Sequence, residues 1–142
     1  MMGNAPSALI VEDHILIAQF LCRQLQKSGL AATHHTSARE AERFLQTSRC
    51  HVSFLDLNLP DADGAGLLKT WRRHYPSMPV IIVTADLPSE TRHFCKNEGA
   101  AGILNKPFTT EQLISTLHQA LPKEFWHYDT KHQCALSPRR GG

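Results

Sequence analysis

Short apolar runs alternate with amphipathic stretches along this chain. Five runs, Ala8 to Val11, Ala31 to His35, Val52 to Leu55, Val80 to Val83 and Gly102 to Leu104, read as strands. Successive runs begin 21 to 28 residues apart, which leaves room for one helix in each interval. The unbroken Val80-Ile81-Ile82-Val83 run suits a strand covered on both faces, and so a parallel sheet with helices on each side.

The helix signals are local. His14 to Ser28 carries Ala18, Leu21, Cys22 and Leu25 on one face and stops at Gly29, where a missing side chain permits a left-handed cap. Ser37-x-x-Glu40 and Thr109-x-x-Gln112 are capping-box patterns that mark two further starts. The second opens a stripe of Leu113, Ile114, Leu117, Ala120 and Leu121, and Pro122 ends it. Gly64 to His74 and Ser89 to Glu98 complete the set.

Residues 7–121 therefore read as one compact unit, and residues 122–142 as a tail that either docks on it or is disordered. With 142 residues the chain suits a single core. Hydrophobic residues make up 42% and charged residues 20%, a globular composition. Fifteen Lys and Arg against thirteen Asp and Glu leave a formal charge of +2, too small to make nucleic acid the main partner. Cys22, Cys50, Cys95 and Cys134 are widely spaced, which favours reduced thiols and a cytoplasmic setting. No apolar run approaches the length of a membrane span, so no membrane partner is expected.

Chemistry enters where reactive side chains meet strand ends. Glu12 and Asp13 follow the first strand, Asp56 ends the third, Thr84 the fourth, and Lys106 follows the fifth. In an open parallel α/β sheet these positions share one edge, where ligands bind. Three carboxylates gathered there need positive charge, which Lys106 and a divalent cation would supply, and hard oxygen ligands select magnesium over zinc. A cation and a lysine together suit a phosphoryl group, with Asp56 as its nucleophile, Thr84 as a hydroxyl donor and small Ala85 leaving the entrance open.

Val11-Glu12-Asp13, Phe54 through Asp61, Thr84-Ala85 and Lys106-Pro107 resemble, in order and position, the motifs of response regulator receiver domains. The resemblance implies a flavodoxin-like, doubly wound five-stranded parallel sheet of order 2-1-3-4-5 over residues 7–121. It implies phosphorylation of Asp56 by a sensor histidine kinase or a histidine phosphotransfer protein in a two-component phosphorelay. Magnesium would be held directly by Asp13, largely through water by Glu12, and by Asp56 and the Asn58 carbonyl. Thr84 and Lys106 would sense the phosphoryl group, and Lys106-Pro107 would form a cis bond. Asn58 and Asp86, flanking the pocket, are expected to tune the lifetime of the phosphate by positioning or excluding water. A downstream protein would be met by the face of the fourth helix, fifth strand and fifth helix, where Arg92, His93 and Lys96 are candidate contacts. A phosphorylation-linked homodimer is compatible with this. The chain would then be a phosphoacceptor switch assisting its own phosphorylation and slow dephosphorylation, not a turnover enzyme.

One position departs from the family pattern. Ile103 stands where an aromatic residue usually rotates inward, so signalling is expected to rely on the loop after Thr84 or on the fourth helix. Alternatives remain at this level: a stand-alone switch, or the receiver of a longer regulator with a DNA-binding or enzymatic output domain. An aspartate-nucleophile phosphatase is disfavoured because Asp56-Leu57-Asn58 lacks the second acid of Asp-x-Asp. A flavin or nucleotide module is disfavoured because Glu12-Asp13-His14 replaces a phosphate-cradling turn. His34, His35, His51, His74 and His93 have no ligand spacing and read as surface or filler. A tail metal site of His127, His132 and Cys134 is disfavoured, and Phe125 and Trp126 read as an apolar anchor.

Overall fold

The computed structural model describes residues 6–122, together with the backbone of two short strands at 126–128 and 134–136. Five parallel strands form the central sheet: β1 (Ser7–Val11), β2 (Ala31–His35), β3 (Val52–Asp56), β6 (Val80–Thr84) and β7 (Gly102–Asn105). Their spatial order is β2-β1-β3-β6-β7, the order expected from the resemblance once the two-residue strands β4 (Asn58–Leu59) and β5 (Ala62–Asp63) are set aside. Those two pair antiparallel with each other just after β3, a detail too short to leave a periodic signal in sequence.

Alternation along each strand divides the core in two. Ala8, Ile10, Phe54, Ile81 and Val83 face α1 (Ile15–Lys27) and α5 (Thr110–Ala120), meeting Ala18, Leu21, Leu25, Leu113 and Leu117. Leu9, Val11, Leu55, Val80 and Ile82 face α2 (Ala38–Thr47), α3 (Gly64–His74) and α4 (Ser89–Asn97), meeting Ala41, Leu45, Leu68, Trp71 and Cys95. Both faces of the sheet are thus covered, as the continuous apolar runs require. Trp71 is fully buried, and its indole N–H donates to Glu42 at 3.3 Å, so its one polar atom is satisfied.

The helix ends match the local signals with one correction. Gly29 takes φ 94° after α1, and the Thr109–Gln112 capping box forms in both directions at α5. At α2 only half a box forms: the Ser37 hydroxyl accepts the Glu40 N–H at 3.2 Å. The Glu40 carboxylate lies instead 3.8 Å from His35 Nδ1 and 3.5 Å from the Thr36 hydroxyl. The remaining α2 amides are taken by Asp61, whose carboxylate oxygens accept from Ala38 at 2.9 Å and Arg39 at 3.0 Å.

Among the described residues no helix is long and apolar enough to cross a membrane. Beyond Pro122, β8 (Trp126–Tyr128) and β9 (Cys134–Leu136) pair antiparallel. The expected anchoring by Phe125 and Trp126 and the disfavoured tail metal cluster concern side chains outside the described residues.

Candidate functional site

Parallel pairing aligns the strand ends. Asp56 lies opposite Val83, and Thr84 opposite Asn105, so β1, β3, β6 and β7 all deliver their last residues to one edge. Strand order reverses between β1 and β3, where the crossovers leave toward opposite faces and open a crevice. Glu12 and Asp13 stand on one side of it and Asp56 on the other.

The carboxylates of Glu12, Asp13 and Asp56 offer oxygens that all lie within 4.8 Å of one another. Glu12 is 1% exposed and Asp56 3%, while Asp13 opens to solvent. Lys106 enters from the loop after β7, its Nζ 2.8 Å from Glu12 Oε1 and 3.4 Å from Asp56 Oδ2. Backbone amides hold the other oxygens: the His14 N–H donates to Glu12 Oε2 at 3.1 Å, and the Asn58 N–H to Asp56 Oδ1 at 3.0 Å. Burial pushes the Glu12 carboxyl above its ordinary range, against the opposing pull of Lys106 and the His14 amide.

Three carboxylates at this spacing repel by about 3 kcal/mol per pair at an effective dielectric near 20, and one lysine balances only one of them. Glu12 Oε1 is also buried with no aligned hydrogen-bond donor, although the Lys106 charge lies beside it. An all-oxygen set with an unused buried acceptor fits a hard divalent cation of the magnesium kind.

Other expected residues have more varied positions. The Thr84 hydroxyl donates to the Asp86 carbonyl at 3.2 Å. Lys106 N–H donates to the Thr84 carbonyl at 2.7 Å, and the Lys106–Pro107 bond is cis, as expected. Asn58, Ala85, Asp86 and Pro107 are exposed around the rim. Ile103 is half-buried against the α2–α4 side of the core.

Three features escaped sequence reasoning. Gly64 packs so tightly that an added Cβ would lie 2.4 Å from Leu57 Cα and 2.8 Å from the Asp56 carbonyl oxygen. Ile15 and Leu16 are 51% and 71% exposed at the first turn of α1, beside Asp13. His34, read as filler, is half-buried with Nε2 2.7 Å from the Glu12 carbonyl oxygen. Histidine spacing carries no signal for this contact, because it depends on the register of β1 with β2.

The fold carries an acidic cluster at the carboxyl edge of its parallel sheet, and comparison with known proteins shows its family. The family model of the response regulator receiver domain matches residues 8–118, and the chain belongs to that family. It is 35% identical over 113 residues to the virulence transcriptional regulatory protein PhoP of Salmonella typhimurium, covering 80% of this chain and 50% of that protein. The chain thus spans about half the length of the curated relatives it matches. Among solved structures, the chemotaxis protein CheY4 of Vibrio cholerae is similar with a TM-score of 0.77 and 32% identity, over 83% of this chain and 100% of that one. A CheY-like receiver domain protein from Methanospirillum hungatei has a TM-score of 0.77 and 25% identity, over 82% and 93% of the two chains.

Proposed function

We propose that this chain is a phosphoacceptor switch in which Asp56 takes a phosphoryl group from a phosphohistidine on a kinase or phosphotransfer protein. The observation that carries this reading is Asp56 itself, nearly buried at a strand end with Lys106 3.4 Å away and two further carboxylates beside it. A P–O bond forms to an Asp56 carboxylate oxygen as the donor's P–N bond breaks, and the leaving imidazole takes a proton.

Glu12, Asp13, Asp56 and the Asn58 carbonyl would hold magnesium, which when bound neutralises charge on the phosphoryl oxygens. Lys106 pairs with a second phosphoryl oxygen, and Thr84 donates to a third after leaving Asp86. Asn58 and Asp86, at the rim, govern water access and so the lifetime of the phosphate. The exposed Ile15 and Leu16 give a protein donor an apolar surface beside the crevice. Output passes through α4, β7 and α5 to a protein partner, in the cytoplasm, with no nucleic acid bound by the receiver itself.

Intact mass after incubation with acetyl phosphate tests the reading. Wild type should gain one phosphoryl group only with magnesium, and Asp56→Asn should gain none. Normal labelling of Asp56→Asn would remove Asp56 from the role.

A second reading makes the unit at residues 7–121 the control module of a transcriptional regulator. It is favoured by the name of the PhoP relatives and by the fraction of their length that this chain spans. Regulators that read paired half-sites act as dimers, so phosphorylation should then drive self-association, measurable by sedimentation. A monomer before and after phosphorylation would count against it.

A further inference from the structure

The backbone N–H and C=O of Glu12 are both held by the last two residues of β2. The Glu12 N–H donates to the His35 carbonyl at 3.1 Å, continuing the ladder one step past Val11. The Glu12 carbonyl meets no continuing strand, because β2 ends at His35 and the chain turns into α2. His34 fills that place, reaching past the end of the ladder so that its Nε2 lies 2.7 Å from the carbonyl oxygen. A carbonyl only accepts, so Nε2 carries the proton.

This carbonyl has consequences for the acidic edge. It lies in the rigid peptide plane that joins Glu12 to Asp13, so holding it fixes the rotation that aims Asp13 into the crevice. The next amide, that of His14, already donates to Glu12 Oε2. Between them, the two bonds fix the loop on both sides of Asp13, which is exposed and has no such support from packing.

We infer that His34 is a positioning residue for the cation site: by donating to the Glu12 carbonyl it presets the Glu12–Asp13 loop for a divalent ion. This rests on the cation reading given above. His34 touches neither ion nor phosphoryl group, and acts only through the loop. Groups that orient metal ligands in this way typically change metal affinity by about 10- to 100-fold when removed.

The test is titration of Mn2+ followed by electron paramagnetic resonance, with Mg2+ as competitor, alongside thermal unfolding of each variant. His34→Phe keeps a ring and loses the donor, and should bind Mn2+ about tenfold more weakly. His34→Gln restores an N–H donor near the position of Nε2 and should recover most of that loss. His34→Leu serves if the Phe variant does not fold. Wild-type affinity in the donor-less variant, or equal weakening in His34→Gln, would overturn the inference while leaving the cation site standing. No Mn2+ binding by wild type would overturn both together.

Discussion

Lys106 lies closer to Glu12 than to Asp56, with Nζ 2.8 Å from Glu12 Oε1 and 3.4 Å from Asp56 Oδ2. Glu12 is nearly sealed from water, so this lysine is the main charge that makes its ionised form tolerable. Removing one partner of a buried pair costs about 3 to 5 kcal/mol, and the partial exposure of Lys106 points to the lower end. Lys106→Met should therefore lower stability by about 3 kcal/mol in metal-free buffer, measured by urea unfolding. Added magnesium should recover part of it. An unchanged midpoint would mean that Glu12 is already neutral at rest.

Asp61 ties the loop after β3 to the start of α2 through Ala38 and Arg39. Those two amides hold its carboxyl below the usual value of 3.8. A carboxylate depressed in the folded state adds stability that is full above the unfolded value and fades as pH falls through the folded one. Asp61→Ala should thus melt below wild type at neutral pH, and the charge-dependent part of that gap should close below about pH 3.8. Thermal unfolding at several pH values checks this. A gap that widens in acid would reverse the sign.

Gly64 begins α3 where the atoms nearest an added Cβ are backbone, of Leu57 and Asp56. Backbone there cannot move without carrying Asp56 with it. Gly64→Ala should cost about 1 to 3 kcal/mol by overpacking. On the proposed function, it should also slow labelling by acetyl phosphate, by up to about 100-fold, the loss that a misplacement of about 1 Å can cause. Gly66, two residues on, has only Asp63 Oδ2 nearby, at 3.6 Å. Gly66→Ala should instead stabilise by about 0.5 to 1 kcal/mol and label normally. Similar behaviour of the two variants would show that the close approach at Gly64 is not what matters.

The parts legible in sequence were those encoded by short-range pattern. Val80 to Val83 announced a doubly covered strand, Thr109 and Gln112 a helix start, and the positions of Asp13, Asp56, Thr84 and Lys106 at strand ends a shared edge. The parts that were hidden depend on residues far apart in the chain. Asp61 caps the Ala38 and Arg39 amides at the start of α2, a contact made from the β3–α3 loop 22 and 23 residues away. His34 became a partner of Glu12 only because β2 pairs with β1 in one particular register. The resting partner of the Thr84 hydroxyl, the Asp86 carbonyl, was also hidden, since the acceptor that a hydroxyl chooses has no sequence signature.

That hydroxyl yields the last prediction. Thr84 Oγ1 has a single proton, and at rest it is spent on the Asp86 carbonyl at 3.2 Å. If a phosphoryl oxygen on Asp56 takes the proton, the Asp86 carbonyl loses its donor and the segment leading into α4 loosens. Ile103 is branched at Cβ, stiff and already packed on the same core as Leu87, so a large swing of this side chain is not needed for the loop to move. One hydrogen bond of about 1 kcal/mol corresponds to about fivefold in opening. Beryllofluoride, a stand-in for the phosphoryl group, should accelerate amide exchange of residues 85–87 by about that factor. Thr84→Val should show the same acceleration without beryllofluoride, and little more with it. If Thr84→Val exchanges like wild type at rest, the bond to Asp86 is not what holds the loop. Output would then have to travel through Lys106, whose own N–H is bound to the Thr84 carbonyl.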